Sequence, residues 1–392
     1  MRAAKDDLRP FPPPTGNPVP LHRDTRPFRP AFLVLAALVC LGPGTCLGGS
    51  APAPVKPPPA AFDGRRALKD AADLVALGPR PSGTDAARRA QNLLIQRLKG
   101  AGLVVRQDAF TGSTPAGDIP MKNIIGVLQG KRPGVLVIGA HYDTKRFKDA
   151  QFVGANDGGA GAAAVLELAR AMSARGKPRY TYWFVLFDGE ESVGEWSAED
   201  SLYGSRHFID MLRAQNLLGN VRAMILLDLV GDKDLTILKE SNSYGAYRDL
   251  FWQKAEALGH GAHFLPAFVT AEDDHTPFVR AGIRAVNLID FMYGDRTVPG
   301  KYWHTPEDTM DKISAESLQV TGDVVLATLP EIENFIYIIE TRAGVATPLD
   351  PDEERADAPP PPIEGDVVGG MLGAGGAAKP ARPTPVEPPR AP

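Results

Sequence analysis

A few short stretches of this 392-residue chain hold side chains able to do chemistry. Asp157 lies in Gly154-Ala155-Asn156-Asp157-Gly158-Gly159. Glu190 and Glu191 follow Asp188-Gly189. His304 lies in Trp303-His304-Thr305-Pro306-Glu307-Asp308. His141-Tyr142-Asp143 and Asp228 complete the set, and His275 also has acidic neighbours. Each has an ordinary explanation when taken alone. Asp157, just before a helical stretch, reads as an N-cap worth about 1 kcal/mol. The glutamate pair reads as a solvated loop, and His304 as a structural loop histidine. Together they point elsewhere. Adjacent carboxylates repel unless one meets a cation or keeps a proton. A metal on one and proton transfer by the other resolves that conflict. Two carboxylates and one imidazole, with a fourth position open, suit a catalytic zinc. Such an ion polarises a carbonyl or activates a water. His207, His260 and His263 look ordinary, and His22 lies near the N-terminus.

The elements around these residues alternate. Helical spacing runs over 62–78, 83–101, 159–175, 203–217, 244–259, 274–282 and 314–341. Apolar runs of strand length cover 122–129, 134–141, 180–188, 221–230 and 284–290. Near-continuous apolar strands between helices predict an α/β fold of three αβα layers around a mixed, mostly parallel sheet. His141 and Asp143, Glu190 and Glu191, and Asp228 all fall at strand ends. In open α/β sheets, ligands bind outside the carboxyl ends of the strands.

Composition bounds the rest. At 43% hydrophobic and 23% charged, the chain is an ordinary globular one. A net charge of -4 is too mild for a nucleic-acid partner. The basic start, the apolar run 31–41 and the small residues after it predict a secretory signal over 1–47, hence an exported, periplasmic or extracellular protein. That run falls short of the roughly 20 residues a membrane span needs. Residues 48–60 read as a Pro/Ala-rich linker, 61–342 as one catalytic domain, and 343–392 as a disordered tail rich in Pro, Ala and Gly. The two cysteines, Cys40 and Cys46, lie in or beside the signal. The domain therefore has no disulfide and no thiolate ligand, and a zinc site there must use His, Asp and Glu.

The ordered blocks HYDTKRF (141–147), FVGAND (152–157), FDGEE (187–191), WSAEDSLYGSRHF (196–208), LLDLVG (226–231), DDHTPF (273–278) and WHTPEDT (303–309) resemble those of the glutaminyl-peptide cyclotransferases, relatives of the zinc aminopeptidases of the same fold. The resemblance spans about residues 61–342. It implies Asp157, Glu191 and His304 as ligands of one zinc, and Glu190 as general acid/base. It implies Asp228 and Asp273 as an acidic network beside Glu190, Trp196, Trp303 and His275 as substrate-contacting residues, and Asp143 as the residue that orients His141. The implied substrates are peptides or proteins with an N-terminal glutamine. The α-amine attacks its own γ-amide carbonyl, leaving pyroglutamate and ammonia. Held in near-attack geometry, the two groups need little covalent help. The amine must be neutral, which predicts mildly alkaline activity. Two departures stand out. The stretch 291–301 is longer than the animal cyclases suggest, and their disulfide is absent.

Two other readings compete. A two-metal aminopeptidase would add His141 and Asp228 as ligands, with Asp157 bridging, and both residues are present. A binding module of the same fold would need none of the intact site residues. A serine hydrolase lacks its Gly-x-Ser-x-Gly elbow, and no P-loop motif occurs.

Overall fold

The computed structural model describes residues 61–344. The expected signal, linker and tail lie outside these residues, apart from Ala343 and Gly344, which follow the final helix. Among the described residues no helix is long and apolar enough to cross a membrane.

Six strands form the main sheet. In chain order they are β1 (Val104–Thr114), β2 (Gly117–Leu128), β3 (Arg132–His141), β4 (Tyr180–Phe187), β5 (Val221–Asp228) and β8 (Ala285–Ile289). The spatial order is β1-β2-β4-β3-β5-β8. The pairings β4-β3, β3-β5 and β5-β8 are parallel, while β1-β2 and β2-β4 are antiparallel. The sheet is thus mixed and mostly parallel, as expected. All eight residues of β4 are buried, because helices cover both of its faces.

One face packs under α1 (Gly64–Val75), α2 (Asp85–Gly100), α3 (Gly161–Ala174), α5 (Gly245–Ala257) and α7 (Ala315–Arg342). Leu136, Ile138, Phe184, Ile225 and Leu288 point into that core. The other face packs under α4 (Tyr203–Ala214) and α6 (His275–Arg280), through Val137, Trp183, Val185, Met224 and Phe208. Neighbouring strand residues enter opposite cores, as the pleat dictates. Caps fix the helix starts. Asp63 accepts the N–H groups of Arg65 and Arg66, Thr84 that of Ala87, and Ser314 that of Ser317.

Three strands escape the sequence reading. The edge strand β1 mixes polar and apolar residues, with most positions partly or fully exposed. β6 (Ile237–Glu240) and β7 (Phe264–Val269) form a separate two-stranded parallel pair; β6 is only four residues long.

Candidate active site

The site is built on the carboxyl edge of the parallel strands. His141 ends β3, Asp188 follows β4, and Asp228 ends β5. Asp157 reaches the same edge differently. It lies in the turn of π-type helix Ala155–Ala160, where its own φ and ψ (-80°, 100°) are non-helical. Helix α3 begins only at Gly161 and has no side-chain cap. The carboxylate is therefore not an N-cap and is free to face the edge. Gly158 makes the turn feasible. Its φ is +79°, and a Cβ there would lie 2.5 Å from the Asp143 carbonyl oxygen. His304 occupies the left-handed region at φ 54°, an uncommon conformation for a residue with a side chain.

Two groups of donors meet at Asp157. His304 Nε2 stands 3.4 Å from Asp157 Oδ2 and 3.1 Å from Glu191 Oε1. His141 Nε2 stands 3.3 Å from Asp157 Oδ1 and 3.4 Å from Asp228 Oδ1. Asp157 Oδ2, Glu191 Oε2 and Asp228 Oδ1 are buried without a hydrogen-bond donor. Lys145 Nζ stands 3.7 Å from Glu191 Oε2, beyond hydrogen-bond distance. Buried carboxylates need pairing or metal. An N/O donor set converging on bare carboxylate oxygens fits a divalent metal ion such as zinc.

Asp143 orders the glutamate pair. Its oxygens accept the backbone N–H groups of Glu190 (3.2 Å) and Glu191 (3.3 Å), and Oδ1 lies 3.5 Å from His141 Nδ1. Burial opposes a charge on His141, but the carboxylates of Asp143, Asp157 and Asp228 outweigh it and raise its pKa well above the usual value. Burial pushes the Glu190 carboxyl well above the usual range. His141 opposes the shift, while Glu191, Asp273 and Asp274 add to it. Asp273 is pushed up to about 7 by burial and by Asp228. It accepts the Asn287 amide at 2.7 Å and the Asp274 backbone N–H at 2.6 Å.

A cleft of about 390 Å³ opens over this edge. Asp157, Glu190, Asp228, Asp273, Trp196, Trp303 and His304 all line it. Trp303 stacks on His304 with centroids 3.8 Å apart. His275 does not reach the cleft. Its side chain is wholly buried, with Nε2 3.1 Å from Glu240 Oε2. At the start of α6 it is held inward against Glu240, away from a substrate in the cleft. Lys145 and Phe291, which the sequence reading did not single out, do line the cleft. Lys145 was visible inside the block 141–147 and Phe291 at the start of the long stretch 291–301. His207 stacks on Phe110 and bonds Asp108 at 2.9 Å, an ordinary structural role.

This sheet topology, with carboxylates and imidazoles gathered at its carboxyl edge, defines an α/β enzyme of the zinc-exopeptidase class. The model for peptidase family M28 matches residues 123–329. Bovine (Bos taurus) glutaminyl-peptide cyclotransferase is 30% identical over 62% of this chain and 75% of its own length. A solved glutaminyl cyclase from an Acidobacteriales bacterium is 38% identical with a TM-score of 0.67, covering 75% of this chain and all of that one (100%). A Zn-dependent exopeptidase from Parabacteroides distasonis is 27% identical with a TM-score of 0.63, over 69% of this chain and 98% of that one. The chain belongs to peptidase family M28, in its branch of glutaminyl-peptide cyclotransferases.

Proposed function

We propose that this enzyme converts the N-terminal glutamine of peptides or proteins to pyroglutamate, releasing ammonia, with one zinc held by Asp157, Glu191 and His304. The observation that carries the reading is Glu190. It lines the cleft beside the ligand Glu191, with its proton affinity raised by burial. A general acid/base works best with a pKa brought toward the working pH.

A zinc bound there would polarise the γ-amide carbonyl of the substrate. Trp196 and Trp303 enclose the glutamine side chain, and the α-amine of the same residue then lies against Glu190. The amine nitrogen forms a bond to the γ-carbonyl carbon, and the bond from that carbon to the amide nitrogen breaks. Glu190 takes the proton the amine loses and delivers it to the departing nitrogen, which leaves as ammonia. Asp273, on the same wall, adds to the acidic surround that raises the proton affinity of Glu190, and Asp228 raises that of Asp273 in turn.

The test is product mass with a peptide beginning in glutamine. Loss of one ammonia and nothing else is expected. Release of the first residue from peptides of general sequence would instead establish an aminopeptidase. That second reading is favoured by one observation, the further donor group His141, Asp157 and Asp228.

A further inference from the structure

The segment between α1 and α2 lies before the residues matched by the family model and takes no part in the reaction above. It nevertheless runs beneath the site. Arg80, in Gly78-Pro79-Arg80-Pro81-Ser82-Gly83, is completely buried. Its guanidinium donates to the Tyr142 carbonyl (2.6 Å), the Val153 carbonyl (2.5 Å) and the Gly154 carbonyl (2.9 Å). Its backbone N–H donates to Thr144 Oγ1 at 2.9 Å. One side chain thus joins the exit of β3 to the loop that leads into Asp157. Two residues on, Ser82 Oγ donates to Asp188 Oδ1 at 2.7 Å, at the exit of β4.

The choice of partners is unusual. A buried guanidinium normally meets a carboxylate, yet among the described residues no carboxylate pairs directly with Arg80. Its donors go to backbone carbonyls, while Asp308, Asp143 and Asp157 act on it through space. Three carbonyls in one planar fork fix the path of the chain. The nearby charge offsets the repulsion among acids that must converge on a metal.

We propose that Arg80 is a positioning residue for the metal centre: it holds the 153–158 loop so that Asp157 faces His304 and Glu191, and places a buried positive charge behind these ligands. This rests on the reading of that cluster as a zinc site. Residues behind a metal's ligands commonly matter for affinity almost as much as the ligands themselves.

The experiment compares wild type, Arg80→Lys and Arg80→Met in two ways: zinc affinity by chelator competition, and melting temperature with and without zinc. R80M should bind zinc on the order of 10–100-fold more weakly, with R80K between it and wild type. The zinc-loaded form of R80M should lose more melting temperature than its metal-free form. Unchanged zinc affinity in R80M, or equal losses in both forms, would overturn the proposal, since a purely structural arginine behaves that way. If R80M does not fold, R80K carries the same comparison against wild type. A wild type that binds no zinc overturns the metal reading and this inference with it. Equally tight binding by wild type and variant overturns this inference alone.

Discussion

Asp308 accepts the backbone N–H of Asp157 at 3.0 Å, through the oxygen opposite the one that accepts Asn156 N–H at 2.8 Å. The loop that carries His304 therefore also fixes the loop that carries Asp157. The Tyr293 hydroxyl donates to the same carboxylate at 2.6 Å. Asp308→Ala would strand these three buried donors, at a cost of about 1–3 kcal/mol each where water cannot reach them. Asp308→Asn keeps one acceptor oxygen and should lose less. Denaturation midpoints for the two variants, with their metal content, check this. Wild-type stability and metal content in D308A would show that the two loops hold their places independently.

Glu190→Gln should leave fold and metal content unchanged while lowering ammonia release by about a hundredfold or more, the range typical of a lost general acid/base. The substitution removes a proton carrier but keeps size and burial. The wild-type rate should also rise as pH climbs toward about 8, where the substrate's α-amine becomes neutral. A steady fall in rate above pH 6 would rule out attack by that amine. Ammonia release by E190Q at the wild-type rate would remove Glu190 from the mechanism.

The two oxygens of Asp157 face different histidines, Oδ1 toward His141 and Oδ2 toward His304. With a single zinc at Asp157, Glu191 and His304, metal analysis should give one ion per chain. His304→Ala should lose it and His141→Ala should retain it. A chelator should abolish activity, and added zinc should restore it. Two ions per chain in wild type, falling to one in H141A, would instead establish the two-metal arrangement of the aminopeptidases.

What could be read from the sequence follows burial. β3, β4 and β5 are covered on both faces, so they appear as unbroken apolar runs, and their ends place His141, Glu190, Glu191 and Asp228 on one edge. β1 lies at the edge of the sheet with most of its residues partly or fully exposed, which leaves no apolar pattern to read. His275 follows Asp273 closely, yet one faces a buried glutamate and the other the cleft. Spacing alone does not separate them, because the turn into α6 decides the direction. Arg80 was hidden for another reason. It sits in a Gly/Pro-rich connection that reads as a loop, and its partners are carbonyl groups 62 to 74 residues away. Backbone carbonyls leave no signature in side-chain sequence.

The stability of the fold should carry a pH signature at Asp290, away from the metal cluster. Burial pushes this carboxyl up to about 8, assisted by Asp232 and opposed by the N–H bonds from Thr236 and Met292. An unfolded aspartate releases its proton near pH 4. Between about pH 4 and 8 the folded chain therefore holds a proton that the unfolded chain has lost, and stability falls as pH rises. Above about pH 8 the group adds no further slope. Asp290→Asn cannot ionise and lacks this slope, although it loses one acceptor for a backbone N–H. The variant should be most destabilised relative to wild type at acidic pH, with the gap narrowing as pH rises toward 8. Paired urea titrations across that range test the sign. A gap independent of pH would mean that Asp290 is charged in the folded state throughout.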